Sequence, residues 1–170
     1  MLTQLDDVWP EGASARRVFP ALQGPPWSPY ALRQFLEVQA VPISPLIFIA
    51  FSAGCVAATA VAHYWIQQNR AVAAVIMFDG WGVPIVGPFA SYRLSHDAFT
   101  HHTASLLGAG QVSFFADPAV PHQHLWSDPM HVNGQQIGCF SAPENHLETS
   151  TTALQFLVNC LKQHPQALRA

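Results

Sequence analysis

The segment from Leu46 to Ile66 constrains this chain more than any other, because it carries no formal charge and yet changes character halfway. It opens with Leu46-Ile47-Phe48-Ile49, a β-favouring run introduced by Pro45, and breaks at Ser52-Ala53-Gly54. It then becomes small and alanine-rich, with Ala57, Ala60, Val61, Tyr64 and Trp65 recurring near the helical period. Length and apolarity alone would suit a membrane span. A uniform span has no reason to change composition at a serine-glycine break, whereas a buried strand turning into a buried helix does. The expectation is a strand over 46–51, a turn at Ser52, a helix over 53–68, and no membrane span.

The rest of the chain repeats the alternation. Ala73 to Phe78 is a second continuous apolar run, ending at Asp79-Gly80, and Val112 to Ala116 reads as a third strand, ending at Asp117-Pro118. Runs apolar on both faces belong to parallel strands covered by helices on each side. Ser28-Pro29 reads as a capped helix start followed by Leu32, Phe35 and Leu36 at helical spacing. Arg17 to Leu22 reads as a short strand stopped by Gly24-Pro25-Pro26, and residues 1–15 as an irregular arm. Trp81 to Leu94 reads as an irregular connection and His96 to Leu107 as a crossover helix. A His-containing loop leads to a fourth strand over Gln136 to Phe140, and a last helix begins near Glu148 or Thr149. The predicted fold class is α/β: a single domain over 1–170 with a mostly parallel sheet of about five strands and helices on both faces.

Composition narrows the function classes. Half of the 170 residues are hydrophobic and 10% are charged, against about 25% charged in an average soluble domain. A net charge of -3 with seven scattered basic residues gives no electrostatic footprint for nucleic acid. Cys55, Cys139 and Cys160 are odd in number, widely spaced and without a CxxC pair. That pattern disfavours a disulfide framework and fits a reducing, cytoplasmic setting. Met1 to Pro10 lacks the apolar stretch of a secretory signal.

Reactive groups in open α/β sheets collect beyond the carboxyl ends of the strands. Ser52 follows the first long strand there, Asp117 follows the third, and His146 lies shortly beyond the fourth. The small residues Ala50 and Gly54 stand at the two flanking positions where a tight strand-to-helix turn would bring a side chain against its neighbours. A helix starting after Ser52 also aims free N–H groups and a positive dipole end at it.

Ile49-Ala50-Phe51-Ser52-Ala53-Gly54 resembles the nucleophile elbow of the α/β-hydrolase superfamily, with Ala50 in place of the first glycine of G-x-S-x-G. The resemblance extends over roughly residues 17 to 162, and the spacing fits a compact member without a lid. It implies a serine esterase, lipase or thioesterase acting on a small-molecule acyl ester or thioester through an acyl-serine intermediate. Ser52 would be the nucleophile, His146 the base and Asp117 the acid that orients it. Asp79 is a rival acid, and His122 and His124 are rival bases. The N–H of Ala53 would form the oxyanion hole with a second donor near Gln23 or Gly24. Trp27, Trp81 and Trp126 fall in loops near the active edge and could line an acyl pocket; contact within a homo-oligomer would use them equally well.

Other readings stay open. A non-catalytic protein could keep the scaffold as a binding or assembly module. The resemblance implies no cofactor, and the sequence holds no HExxH zinc motif. Yet His122-x-His124, and the cluster of His96, His101 and His102, contain groups that a metal-dependent hydrolase would use.

Overall fold

The computed structural model describes residues 1–10, 13–22, 24–39, 45–140 and 149–167. Six strands form one sheet in the order in which they occur in the chain. β1 (Leu46–Phe51), β2 (Val72–Phe78), β3 (Ala90–Ser95) and β4 (Val112–Ala116) run parallel. β5 (Asn133–Ile137) and β6 (Thr149–Thr152) then turn back in antiparallel ladders. The sheet is thus mixed and one strand larger than expected.

Alternation along each strand feeds two cores. In β2, Ala74, Ile76 and Phe78 point to one face while Val75 and Met77 point to the other. The second face is covered by α2 (Pro29–Val38) and α3 (Gly54–Gln67), and by Val83 and Ile85 of the β2–β3 connection. α4 (Ala98–Ser105) packs on β3 and β4. Its His101 meets Phe115 on this same second face. All three parallel connections therefore lie on one side of the sheet, as crossovers of a single hand require. The first face is covered by α6 (Ala153–Lys162), with Leu5 from α1 (Leu2–Val8) and Leu125 from α5 (His122–Ser127).

Local chemistry sets the helix boundaries. Ser28 Oγ, Asp97 Oδ1 and Thr152 Oγ1 each accept the N–H three residues on, at 3.2, 2.6 and 3.2 Å, capping α2, α4 and α6. α3 has no side-chain cap and buries Cys55, Ala57, Ala58, Val61, Ala62 and Trp65, its alanines allowing close approach to the sheet. This burial explains the apolar stretch: among the described residues no helix is long and apolar enough to cross a membrane.

Several expectations need correction. Residues 2–8 are helical rather than irregular, because Leu5 is wholly buried against the α6 layer. Residues 17–22 join no sheet. β3 lies where an irregular connection was expected; its interior Arg93 hid it. The fourth expected strand is β5, shifted toward the N-terminus, and β6 occupies the start assigned to the last helix.

Candidate functional site

Parallel register brings the ends of the first strands level. Phe51 pairs with Phe78, and Phe78 with Leu94. The ladder runs one residue further, with Ser52 N–H donating to Phe78 O and Asp79 N–H to Leu94 O, both at 2.8 Å. Ser52 and Asp79 therefore sit side by side at the sheet edge. Each adopts a left-handed backbone, with φ of 51° and 50°. Such a conformation costs a non-glycine residue about 1 kcal/mol or more, and here two adjacent strand ends carry it.

At Ser52 the consequence is a sharp entry into α3. Among the described residues the N–H groups of Ala53 and Gly54 have no acceptor, as the first turn of a helix dictates. Ala50 is buried in the α3 core, which accounts for its small size. The same reasoning fails at Gly54. A Cβ placed there would meet nothing nearer than Pro26 O, at 3.9 Å. That proximity does place the Gly24–Trp27 loop beside the turn.

Asp79 is the centre of the polar network. It is 6% exposed, and its Oδ1 accepts the backbone N–H of His96 at 2.9 Å. His96 Nδ1 lies 3.0 Å from Oδ1, and His122 Nδ1 lies 2.7 Å from Oδ2. His122 is the first residue of α5, and its ring stacks on Phe51, with centroids 4.8 Å apart. Trp126, one turn along α5, stacks on the same Phe51 at 4.6 Å. The residue preceding Ser52 thus anchors the helix that carries His122.

Ser52, Ala53, Asp79, His96 and His122 border one open cleft of about 370 Å³. Val56, Trp81, Val83 and Phe99 form its apolar flank, with Thr100 beside them. Trp81 is tethered by its indole N–H to Thr103 Oγ1 at 3.1 Å. Among the described residues no hydrogen bond joins Ser52 Oγ to either imidazole, and neither His122 Nε2 nor Ser52 Oγ has another partner. In unliganded sites such bonds are commonly long and tighten around substrate.

Arg93 supports the site from beneath. It is 2% exposed, and its guanidinium donates to Gly80 O at 3.1 Å, to Val83 O at 2.6 Å and to Gly108 O. No carboxylate pairs with it among the described residues. Burial lowers its pKa, partly offset by Cys55 nearby. Burial also pushes the Cys55 thiol up to about 12, so this cysteine is no nucleophile.

The positions picked out in the sequence fare differently. Ser52 and Ala53 stand at the cleft, and so does Trp81. Asp117 is exposed at the end of β4, and no histidine pairs with it among the described residues. His146 and Gln23 lie outside the described residues. Trp27 is exposed at the start of α2, and Trp126 packs on Phe51 away from the cleft lining. His124 faces Asp128 instead, at 3.6 Å. The acid beside Ser52 is Asp79, and the histidines on it are His96 and His122. Two signals pointed there: Asp79-Gly80 closes an apolar strand, and His96-Asp97 follows β3 as soon as that strand is recognised.

Comparison with family models, with curated proteins and with solved structures found no significant match for this chain.

Proposed function

We propose that this protein is a serine hydrolase that cleaves an ester or thioester, with Ser52 as nucleophile, His122 as base and Asp79 as the acid orienting it. The observation that carries this reading is the 2.7 Å bond between His122 Nδ1 and buried Asp79, at a cleft shared with Ser52. A carboxylate on Nδ1 fixes the proton there and leaves Nε2 as the basic nitrogen. His122 would take the Ser52 proton through Nε2 as Oγ attacks the acyl carbon, then return it to the leaving group. Asp79 would stabilise the transient imidazolium without itself being protonated. The N–H of Ala53, without an acceptor among the described residues, would serve as an oxyanion donor, and the Gly24–Trp27 loop beside the turn would supply a second.

Val56, Trp81 and Phe99 are exposed apolar groups beside the serine. They suit a modestly apolar acyl group. The sheet serves this reading as a general α/β scaffold, with the proposed nucleophile, acid and base after β1, β2 and β4.

A fluorophosphonate probe tests the reading directly. Labelling should be abolished by Ser52→Ala and greatly slowed by His122→Ala. A folded protein that takes no label would instead favour the binding or assembly module. Label retained in Ser52→Ala would place the nucleophile elsewhere.

A further inference from the structure

The catalytic reading uses one histidine on Asp79, yet the structure supplies two. Asp79, His96 and His122 each offer a donor atom, and the three atoms lie within 4.8 Å of one another. Around a tetrahedral zinc ion, donors at about 2.0–2.2 Å from the metal stand about 3.3–3.5 Å apart. Asp79 Oδ1 is 3.0 Å from His96 Nδ1, and Asp79 Oδ2 is 2.7 Å from His122 Nδ1. The two contacts use different carboxylate oxygens, and each is a little shorter than the spacing of two donors on one ion, so both rings already stand close to ligand distance from Asp79.

The rings approach the carboxylate from different directions, with their planes 82° apart. A flat sandwich of rings could not place three donors around one ion; this arrangement can. The surroundings also suit a ligand set. His96 Nε2 lies 3.3 Å from Asp97 Oδ2, the carboxylate contact that usually orients a metal-bound imidazole. Asp79 is fixed by the His96 N–H, and His122 by its stack on Phe51. A fourth position would open into the cleft that Ser52 borders. Two imidazoles and one carboxylate favour zinc and its transition-metal neighbours over magnesium or calcium.

We infer that Asp79, His96 and His122 form a binding site for a divalent ion of zinc's class, and that occupying it switches the hydrolase off. The inhibitory part rests on the serine-hydrolase reading; the binding part does not. The chemistry is an exchange of tautomers. As the base, His122 keeps its proton on Nδ1 and its lone pair on Nε2. As a ligand through Nδ1, it gives that lone pair to the metal and carries its proton on Nε2, by exchange with water and with no net proton change. Metallated His122 then has no lone pair for the Ser52 proton, and Asp79 is withdrawn from its orienting role.

The test titrates the full, EDTA-treated chain with ZnCl2 by calorimetry, in the Ser52→Ala variant as well as the unmodified protein. One zinc per chain is expected in both, with affinity at least about tenfold weaker in His96→Ala and in His122→Ala. The control His131→Ala changes an exposed histidine on Asp128, outside the cleft, and should bind zinc as the unmodified protein does. Equal affinity in His96→Ala and the unmodified chain, or no zinc binding, overturns the site. Fluorophosphonate labelling of the metal-free chain tests the serine reading separately. Stoichiometric zinc should suppress that labelling, EDTA should restore it, and His96→Ala should blunt the effect. Labelling unaffected by bound zinc, or hydrolysis activated by it, overturns the inhibitory assignment while leaving the site in place.

Discussion

Arg93 gives the sharpest test of how the cleft is held. Replacing it with methionine keeps the length and apolar stem while removing every donor. Gly80 O, Val83 O and Gly108 O would each lose a hydrogen bond from a buried cation. At a net loss of about 1 kcal/mol for each acceptor, the total is about 3 kcal/mol. Relief from burying an unpaired charge offsets part of this, so about 2–3 kcal/mol is the expected cost. At about 2–4 °C per kcal/mol for a chain of this size, melting should fall by about 4–12 °C. Arg93→Lys should lie between the two, since an ammonium cannot span all three carbonyls. Urea unfolding followed by far-UV circular dichroism gives the free energy. Fluorophosphonate labelling under native conditions reports whether the Asp79-Gly80 turn has moved. A Met variant within about 0.5 kcal/mol of the parent would refute the argument, because the carbonyls would then be solvated without the arginine.

Three further outcomes follow from the same geometry. Asp79→Asn should lower the rate of hydrolysis by about 10⁴-fold, the loss typical when the orienting carboxylate is neutralised, whereas Asp117→Asn should leave it within about twofold; the reverse order in an ester-hydrolysis assay would move the acid to β4. Gly54→Ala should fold normally and gain up to about 0.5–1 kcal/mol, since its Cβ has room and a glycine is removed from a helix; a loss above about 1 kcal/mol in chemical denaturation would restore a steric role for that glycine. Burial lowers the pKa of His164, whose Nε2 is 3.0 Å from Tyr92 Oη. The folded state therefore binds this proton less readily than the unfolded chain. Its contribution to stability is complete above the unfolded value of about 6.5 and is lost as pH falls below that toward the folded value. Denaturation series between pH 7.5 and about 5 should show a shallower acid loss in His164→Gln, and identical slopes would exclude the effect.

What the sequence disclosed follows from how each element is stabilised. β1 and β4 were readable to the residue because a short, predominantly apolar run stands in each between turn-forming residues. β3 was not, because Arg93 occupies its centre for the sake of carbonyls on other segments. β6 is four hydroxyl residues at the sheet edge, which read equally well as a helix start. The serine was legible because its turn is encoded locally, in five or six adjacent residues. The groups proposed as its partners, Asp79 and His122, are joined across the sheet, and nothing periodic in the sequence links those positions. The α/β class and the helices on both faces could be inferred from alternation, whereas the sixth strand and the antiparallel turn of β5 and β6 could not, and the placement of Asp79 beside Ser52 needed the register.

The sequential strand order has a consequence for how the chain is made. Each strand pairs with the one synthesised just before it, so the sheet can grow outward from β1 as the chain leaves the ribosome. Yet Phe78 at the end of β2 and Phe114 at the centre of β4 belong to the core that Phe156 and its neighbours on α6 cover, and α6 is made after all six strands. Until then the nascent sheet displays an apolar face of aromatic and aliphatic side chains, the kind of surface that holdase chaperones bind. Ser52, Asp79 and His122 are all synthesised before α6 and gain a rigid footing only with it. The cleft should therefore become competent only once α6 has closed over the sheet.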